Sequence, residues 1–368
     1  MRKAKVYFTN MRVNEEENLP AKLDRLLRIA GIANLDLARK FVAIKIHFGE
    51  RGNLAFLRPN YAKTVVDLVR ELGGKPFLTD SNTLYAGHRK DALEHLDTAY
   101  LNGFSPFSTG CHIIIADGLK GTDEVPVPVP GGKLVKTAKI GRGVMDADVV
   151  ISLNHFKGHE LTGFGGSLKN IGMGSGSRAG KMEMHAEGRL RIDAELCLGC
   201  RKCLSACAQS AISCRNGKSS IDPDRCLGCG RCLPLCPVDA IDPIESSSNE
   251  NLNRKISEYA AAVLTGRPHF HVTLAIDITP FCDCHAENDV PIVPDVGMFA
   301  SEDPVALDVA CADAVNSQPA CPGSRLDSNR DLDGDYFRRV SPETDWRIGV
   351  EHAVMLGLGS SEYDLVKI

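Results

Sequence analysis

Residues 197–207 read CLGCRKCLSAC, and residues 226–237 read CLGCGRCLPLCP. Both runs follow Cys-x2-Cys-x2-Cys-x3-Cys, and together they hold eight of the 14 cysteines. An offset of 29 residues also aligns Leu198-Gly199 with Leu227-Gly228, and Ala211-Ile212 with Ala240-Ile241. Such an internal repeat marks a small module with pseudo-twofold symmetry. Three thiolates two residues apart wrap one tight loop around three corners of a cubane, and the fourth reaches the other cluster. On this reading Cys197, Cys200, Cys203 and Cys236 hold one [4Fe–4S] cluster. Cys226, Cys229, Cys232 and Cys207 hold a second. Two structural zinc sites need only four ligands each, but they usually pair Cys-x2-Cys knuckles across a longer spacer.

The two runs resemble the bacterial two-cluster ferredoxins, and the resemblance covers residues 188–245. One position departs from that pattern. Ala208 follows the fourth cysteine of the first run where proline is usual, which implies a looser loop with the thiolate count intact.

The 368-residue chain is 43% hydrophobic and 24% charged, an ordinary globular composition. Its net charge of −4 speaks against a dedicated nucleic-acid binder, which carries a basic excess. No apolar run is long enough for a membrane-spanning helix. The opening MRKAKVYFTN lacks the apolar region of a signal peptide, so the expected compartment is the cytoplasm. Thiols there stay reduced, so the cysteines serve metal chemistry rather than a disulfide framework.

Two arms, residues 1–187 and 246–368, flank the module. Apolar runs at Lys5–Thr9, Phe41–Phe48, Pro76–Asp80, His112–Ala116 and Asp148–Asn154 read as strands. Helical patterns at Pro20–Ile29, Asn60–Leu72 and Arg89–Leu101 separate them. The second arm adds helices at Asn251–Leu264, Pro304–Val315 and Ile348–Leu356, and strands at Phe270–Asp277 and Tyr363–Lys367. Short Val- and Ile-rich runs alternating with helices predict a mainly parallel sheet covered on both faces. The expected fold is therefore an α/β domain, a mainly parallel sheet flanked by helices, with a small α+β ferredoxin-like module inserted. The proline-rich Pro126–Gly132 reads as an extended loop.

Polar residues collect just past the strand ends, where open α/β sheets bind ligands. They are Lys45–Arg51, Asp80–Tyr85, Asp117-Gly118, Asn154–Glu160 and Asp277–His285. Within them, Lys45, His47 and Asp80, with Lys169 from the glycine-rich stretch 163–180, are the candidate catalytic residues. Lys45, His47 and Lys169 suit a small anionic substrate bearing a carboxylate or phosphate. The stretch itself matches no nucleotide-binding motif and reads either as an anion site or as a linking loop. His155-x3-His159 and Cys282-Asp-Cys284-His285 are candidate ligands for an additional metal ion. Asn329-x-Asp331-x-Asp333-Gly334 begins like a calcium loop, but Val340 stands where the bidentate Glu is needed.

Lys45-Ile-His47-Phe-Gly49, Thr79-Asp80-Ser81-Asn82, the stretch Asn154–Gly174 and the run Asp295–Asp308 together resemble the DUF362 family. Members with an embedded ferredoxin pair are often called Fe–S centre proteins. The resemblance supports the architecture and implies no particular substrate. Two functions are open. In one, the clusters pass electrons, exchanged with a separate donor or acceptor protein, to a cleft at the strand ends. In the other, the chain is a non-catalytic electron carrier or assembly partner whose α/β domain docks another protein.

Overall fold

The computed structural model describes residues 3–84, 87–186, 189–226, 228–244, 248–329 and 334–368. Eight strands form one sheet: β1 (Ala4–Asn10), β2 (Phe41–Lys45), β3 (Lys75–Asp80), β4 (Ile113–Ile115), β5 (Val149–His155), β6 (His269–Ala275), β7 (Gly297–Ser301) and β8 (Tyr363–Lys367). Their order is β8-β1-β7-β6-β5-β2-β3-β4. All neighbours run parallel except β7, which is antiparallel to both β1 and β6. The arms thus share one sheet: β5 of the first pairs with β6 of the second, from His269↔Val150 to Leu274↔His155.

The principal helices are α1 (Leu19–Ala30), α2 (Pro59–Glu71), α3 (Ala92–Leu101), α4 (Ser167–Ser175), α5 (Arg178–Ala186), α6 (Asn249–Leu264), α7 (Pro304–Asn316) and α8 (Arg347–Met355). Strand β5 is buried along its whole length, and its side chains alternate between two cores. Val149, Ile151 and Leu153 pack with Leu23, Leu26 and Leu27 of α1 and Val65, Val66 and Val69 of α2. Val150 faces the other way, into the core holding Ile171 of α4, Ile256 and Tyr259 of α6 and Val305 of α7. Burial on both faces is why the strands read as unbroken apolar runs. No helix among the described residues is long and apolar enough to cross a membrane.

Several local expectations change. The stretch after Gly163 is a short strand (Gly163–Gly165) followed by α4, not a loop. Its glycines serve close approach. A Cβ on Gly172 would strike the backbone carbonyl of Ile256 in α6, and one on Gly174 would strike the Lys45 ammonium. Pro126 and Pro128 lie in a strand, Glu124–Pro128, paired antiparallel with Thr137–Gly141. Pairing on one edge only tolerates the missing donors of alternating prolines. Strand β7, read only as part of a family-like run, is central to the second arm. His155 ends a strand and His159 ends a short hairpin strand, so the two do not share a helix face. Of the calcium-like turn, Asp331 and Asp333 lie outside the described residues, as does Tyr85 of the segment Asp80–Tyr85.

The cysteine-rich segment has two antiparallel pairs: Leu190–Ile192 with Ile241–Pro243, and Ile212–Arg215 with Lys218–Ile221. The 29-residue repeat is present in its backbone. Left-handed conformations recur at Gly199 and Gly228, Arg201 and Gly230, and Ser210 and Asp239. The Asp193 N–H donates to Ala240 O and the Asp222 N–H to Ala211 O, both at 2.8 Å. The expected boundaries, 187/188 and 245/246, fall on residues outside the described ones. The segment docks on the first arm: Leu84 and Met182 share an apolar cluster with Cys203, Cys232, Leu233 and Ile241. Lys90 Nζ lies 2.5 Å from Asp239 Oδ1 beside it.

The α4–α6 contact yields a stability prediction. Gly172→Ala forces the two helix backbones apart and should cost about 1–3 kcal/mol, as overpacking does. A thermal midpoint equal to that of the unsubstituted protein would contradict this packing.

Candidate active site at the strand ends

A cavity of ≈ 400 Å³ opens where β2, β3, β5 and β6 end. Lys45, His47, Asp80, His155, His159, Lys169, Cys282, Cys284 and His285 all line it. Four of the five polar segments therefore converge, as adjacent parallel strands require. The fifth does not: Asp117 turns away and accepts from the Asn82 N–H and Nδ2, both at 2.9 Å.

Lys45 is 1% exposed, and its ammonium lies 2.8 Å from Asp80 Oδ1 and 2.9 Å from Asn170 Oδ1. Asn170, on α4, also donates to Lys45 O, Leu153 O and Asn154 Oδ1. This one amide fixes α4 against the ends of β2 and β5. Burial alone would raise the Asp80 carboxyl, but Lys45, His47 and His95 hold it well below its usual range. Burial lowers Lys45 against the opposing pull of Asp80.

His47 is pushed down to about 4 by burial, so it is neutral at neutral pH. Its Nε2 then accepts from Arg89, at 2.8 Å. Arg89 is 2% exposed, pairs with Glu50 at 2.9 Å and donates to Cys284 O at 3.0 Å. Asp283 sits behind the cavity between Lys157 at 2.8 Å and His155 at 3.2 Å. Burial would raise its carboxyl, and Lys157 and His47 keep it far below its usual range.

The Cys282 and Cys284 sulfurs lie within 4.8 Å of each other in the cavity wall. The hydrogen bond between them holds Cys282 well below the usual thiol range, assisted by Lys169 and Lys157, and holds Cys284 well above it. Lys169 Nζ lies 3.5 Å from Cys282 Sγ, and despite burial the thiolate charge raises its pKa. Cys282 Sγ, Cys284 Sγ and one ring nitrogen of His159 lie within 4.8 Å of one another, a group able to hold a metal ion. His155 is engaged elsewhere, its Nε2 2.8 Å from Ile276 O, and His285 faces Glu160 at 2.7 Å. Lys181, at the module side of the cavity, is lowered by burial to about 8.

Sequence reading missed Arg89, Glu50 and Asp283. Arg89 looked like the first residue of a helix that begins only at Ala92, capped by Asp91. Lys157 and Asp283 stood inside quoted segments, but nothing local separated an ion pair from turn residues.

The Lys45–Asp80 pair gives a signed prediction. A depressed carboxyl stabilises the fold fully above its ordinary pKa near 4, and the contribution is lost only as pH falls through the lower folded value. Asp80→Asn leaves Lys45 buried without its counter-charge and should cost about 3–5 kcal/mol at pH 7. The deficit should shrink only in strong acid. An unchanged denaturation midpoint at pH 7 would contradict this role.

Two solved structures are similar at low identity. The lactate racemase apoprotein from Thermoanaerobacterium thermosaccharolyticum is 10% identical with a TM-score of 0.39, over 74% of this chain and 51% of that one. A Thermotoga maritima protein is 13% identical with a TM-score of 0.41, over 83% of this chain and 59% of that one. The chain therefore spans less than two thirds of either. No curated protein matches. The model for the domain of unknown function DUF362 matches residues 42–313, which take in most of the sheet, the cavity and the cysteine-rich segment, and the chain belongs to the DUF362 family.

Proposed function

We propose that this is an iron–sulfur redox protein of the cytoplasm, with two [4Fe–4S] clusters in residues 188–245 serving the strand-end cavity. One observation carries the reading. The segment contains two small cavities, one lined by Cys197, Cys200, Cys203 and Cys236, the other by Cys207, Cys226, Cys229 and Cys232. Each takes three thiols from one run and the fourth from the other, the crossed set that the spacing implies.

The donor chemistry fits clusters better than zinc. Four sulfurs on one zinc at 2.3 Å stand about 3.8 Å apart. Among the described residues, no three of these eight thiols come within 4.8 Å of one another. Backbone amides already address the sulfurs in symmetric fashion. Ala211 N–H donates to Cys207 Sγ and Ala240 N–H to Cys236 Sγ, both at 3.2 Å. Such hydrogen bonds to sulfur help set a cluster's reduction potential.

Bound clusters supply one-electron transfer. The protein's part is to bind and orient a substrate close by. Leu84 lines the strand-end cavity and also packs in the apolar cluster with Cys203 and Cys232, so one wall separates the two sites. Lys45 and Lys169 offer charge to a small anion, and neutral His47 offers a ring held in place by Arg89. A separate protein would deliver or remove electrons at the exposed Cys200 or at the exposed Cys229. A plain carrier would have no use for this buried, charge-lined cavity.

Protein purified without oxygen should contain about eight irons and eight acid-labile sulfides per chain. About two zinc ions with no labile sulfide would sink the proposal.

A further inference from the structure

We propose that Cys282, Cys284 and His159 bind a divalent cation of the zinc class, with a further coordination position open to the strand-end cavity. The inference goes beyond the cluster reading and does not depend on it.

Five residues were candidates from sequence, and the fold separates them. His155 and His285 already have close oxygen partners, Asp283 and Ile276 O for one and Glu160 for the other. The remaining three bring their ligand atoms within 4.8 Å of one another. They come from different loops, and the sheet makes them meet. Cys282 and Cys284 lie in the segment after β6, in a turn closed by the His285 N–H on Cys282 O at 3.1 Å. His159 ends the hairpin strand after β5, the parallel neighbour of β6. The Gly158 N–H donates to Thr279 O at 2.8 Å, and a Cβ on Gly158 would strike the Pro280 backbone. A glycine there lets the two loops lie flat on each other.

The donors suit the ion. Two sulfurs and an imidazole match zinc's borderline softness. Leu161 and Thr162 direct their amides at His159 Nδ1, at 3.1 and 3.3 Å, and so hold the ring beside the two sulfurs. Lys169 Nζ, 3.5 Å from Cys282 Sγ, stands where an outer group donates to a ligand sulfur. Three protein ligands plus an open position is the pattern of reactive zinc sites, whereas structural sites are closed by four. All three residues line the same cavity as Lys45 and Lys181, so the open position faces cationic side chains. The ligand class that fits is a small anion with an oxygen donor, such as a carboxylate.

The test uses the full chain, purified anaerobically, incubated with one equivalent of zinc and desalted. Metal analysis and zinc-edge X-ray absorption then report the site without interference from iron. The expected result is one retained zinc per chain, with two sulfurs at about 2.3 Å and lighter atoms at about 2.0–2.1 Å. His159→Gln should weaken binding by at least about tenfold. Cys282→Ser with Cys284→Ser should abolish it, with iron and sulfide content unchanged as the check on folding. Zinc that is not retained, a shell of four sulfurs, or retention in the double variant would each overturn the proposal. Loss of iron in the unsubstituted protein would instead strike the cluster reading alone.

Discussion

A buried ammonium must be compensated, and at the end of β2 that requirement organises everything around it. Lys45 reaches Asp80 on the neighbouring strand and Asn170 on the helix above. Asn170 in turn grips the ends of β2 and β5 and the side chain of Asn154. Replacing this group by hydrocarbon would relieve a desolvation cost, so the charge is poor evidence of stabilisation. Its value lies in position. It holds α4 close enough for Gly174 to pass over the ammonium, and it sets the floor of the cavity from which Lys169 points at Cys282.

The same economy of construction joins the arms. Because β5 pairs with β6, the chain leaves the sheet at one strand end, builds α4, α5 and the cysteine-rich segment, and returns to the adjacent strand. The segment therefore emerges beside the cavity. Lys181, on α5, lines the cavity, and its neighbour Met182 packs with the cysteines. In the proposed function this closeness gives electrons a short path. It also explains why one wall residue, Leu84, belongs to both sites.

Strand and helix positions followed from periodicity because both sheet faces are covered, which makes Val149–Leu153 and its neighbours almost unmistakable. The convergence of Lys45, His47, Asp80, His155, His159, Lys169, Cys282, Cys284 and His285 was also legible, since strand ends of one parallel sheet lie side by side. Other features were not. Helix α4 carries Gly172 and Gly174, and Gly166 precedes it, because other groups press against these positions, and local composition alone reads that need as a loop. Strand β7 has two neighbours of opposite direction, a long-range fact with no local mark. Arg89 earned its place through Glu50, His47 and Cys284, none of which is near it in sequence.

The central claim is that two clusters are held by crossed sets of cysteines beside the cavity. Electron paramagnetic resonance of the reduced Cys207→Ala protein tests it most directly. The account predicts that the signal of the cluster held by Cys197, Cys200, Cys203 and Cys236 persists, while the other is altered or lost. Loss of the first signal with the second intact would contradict it.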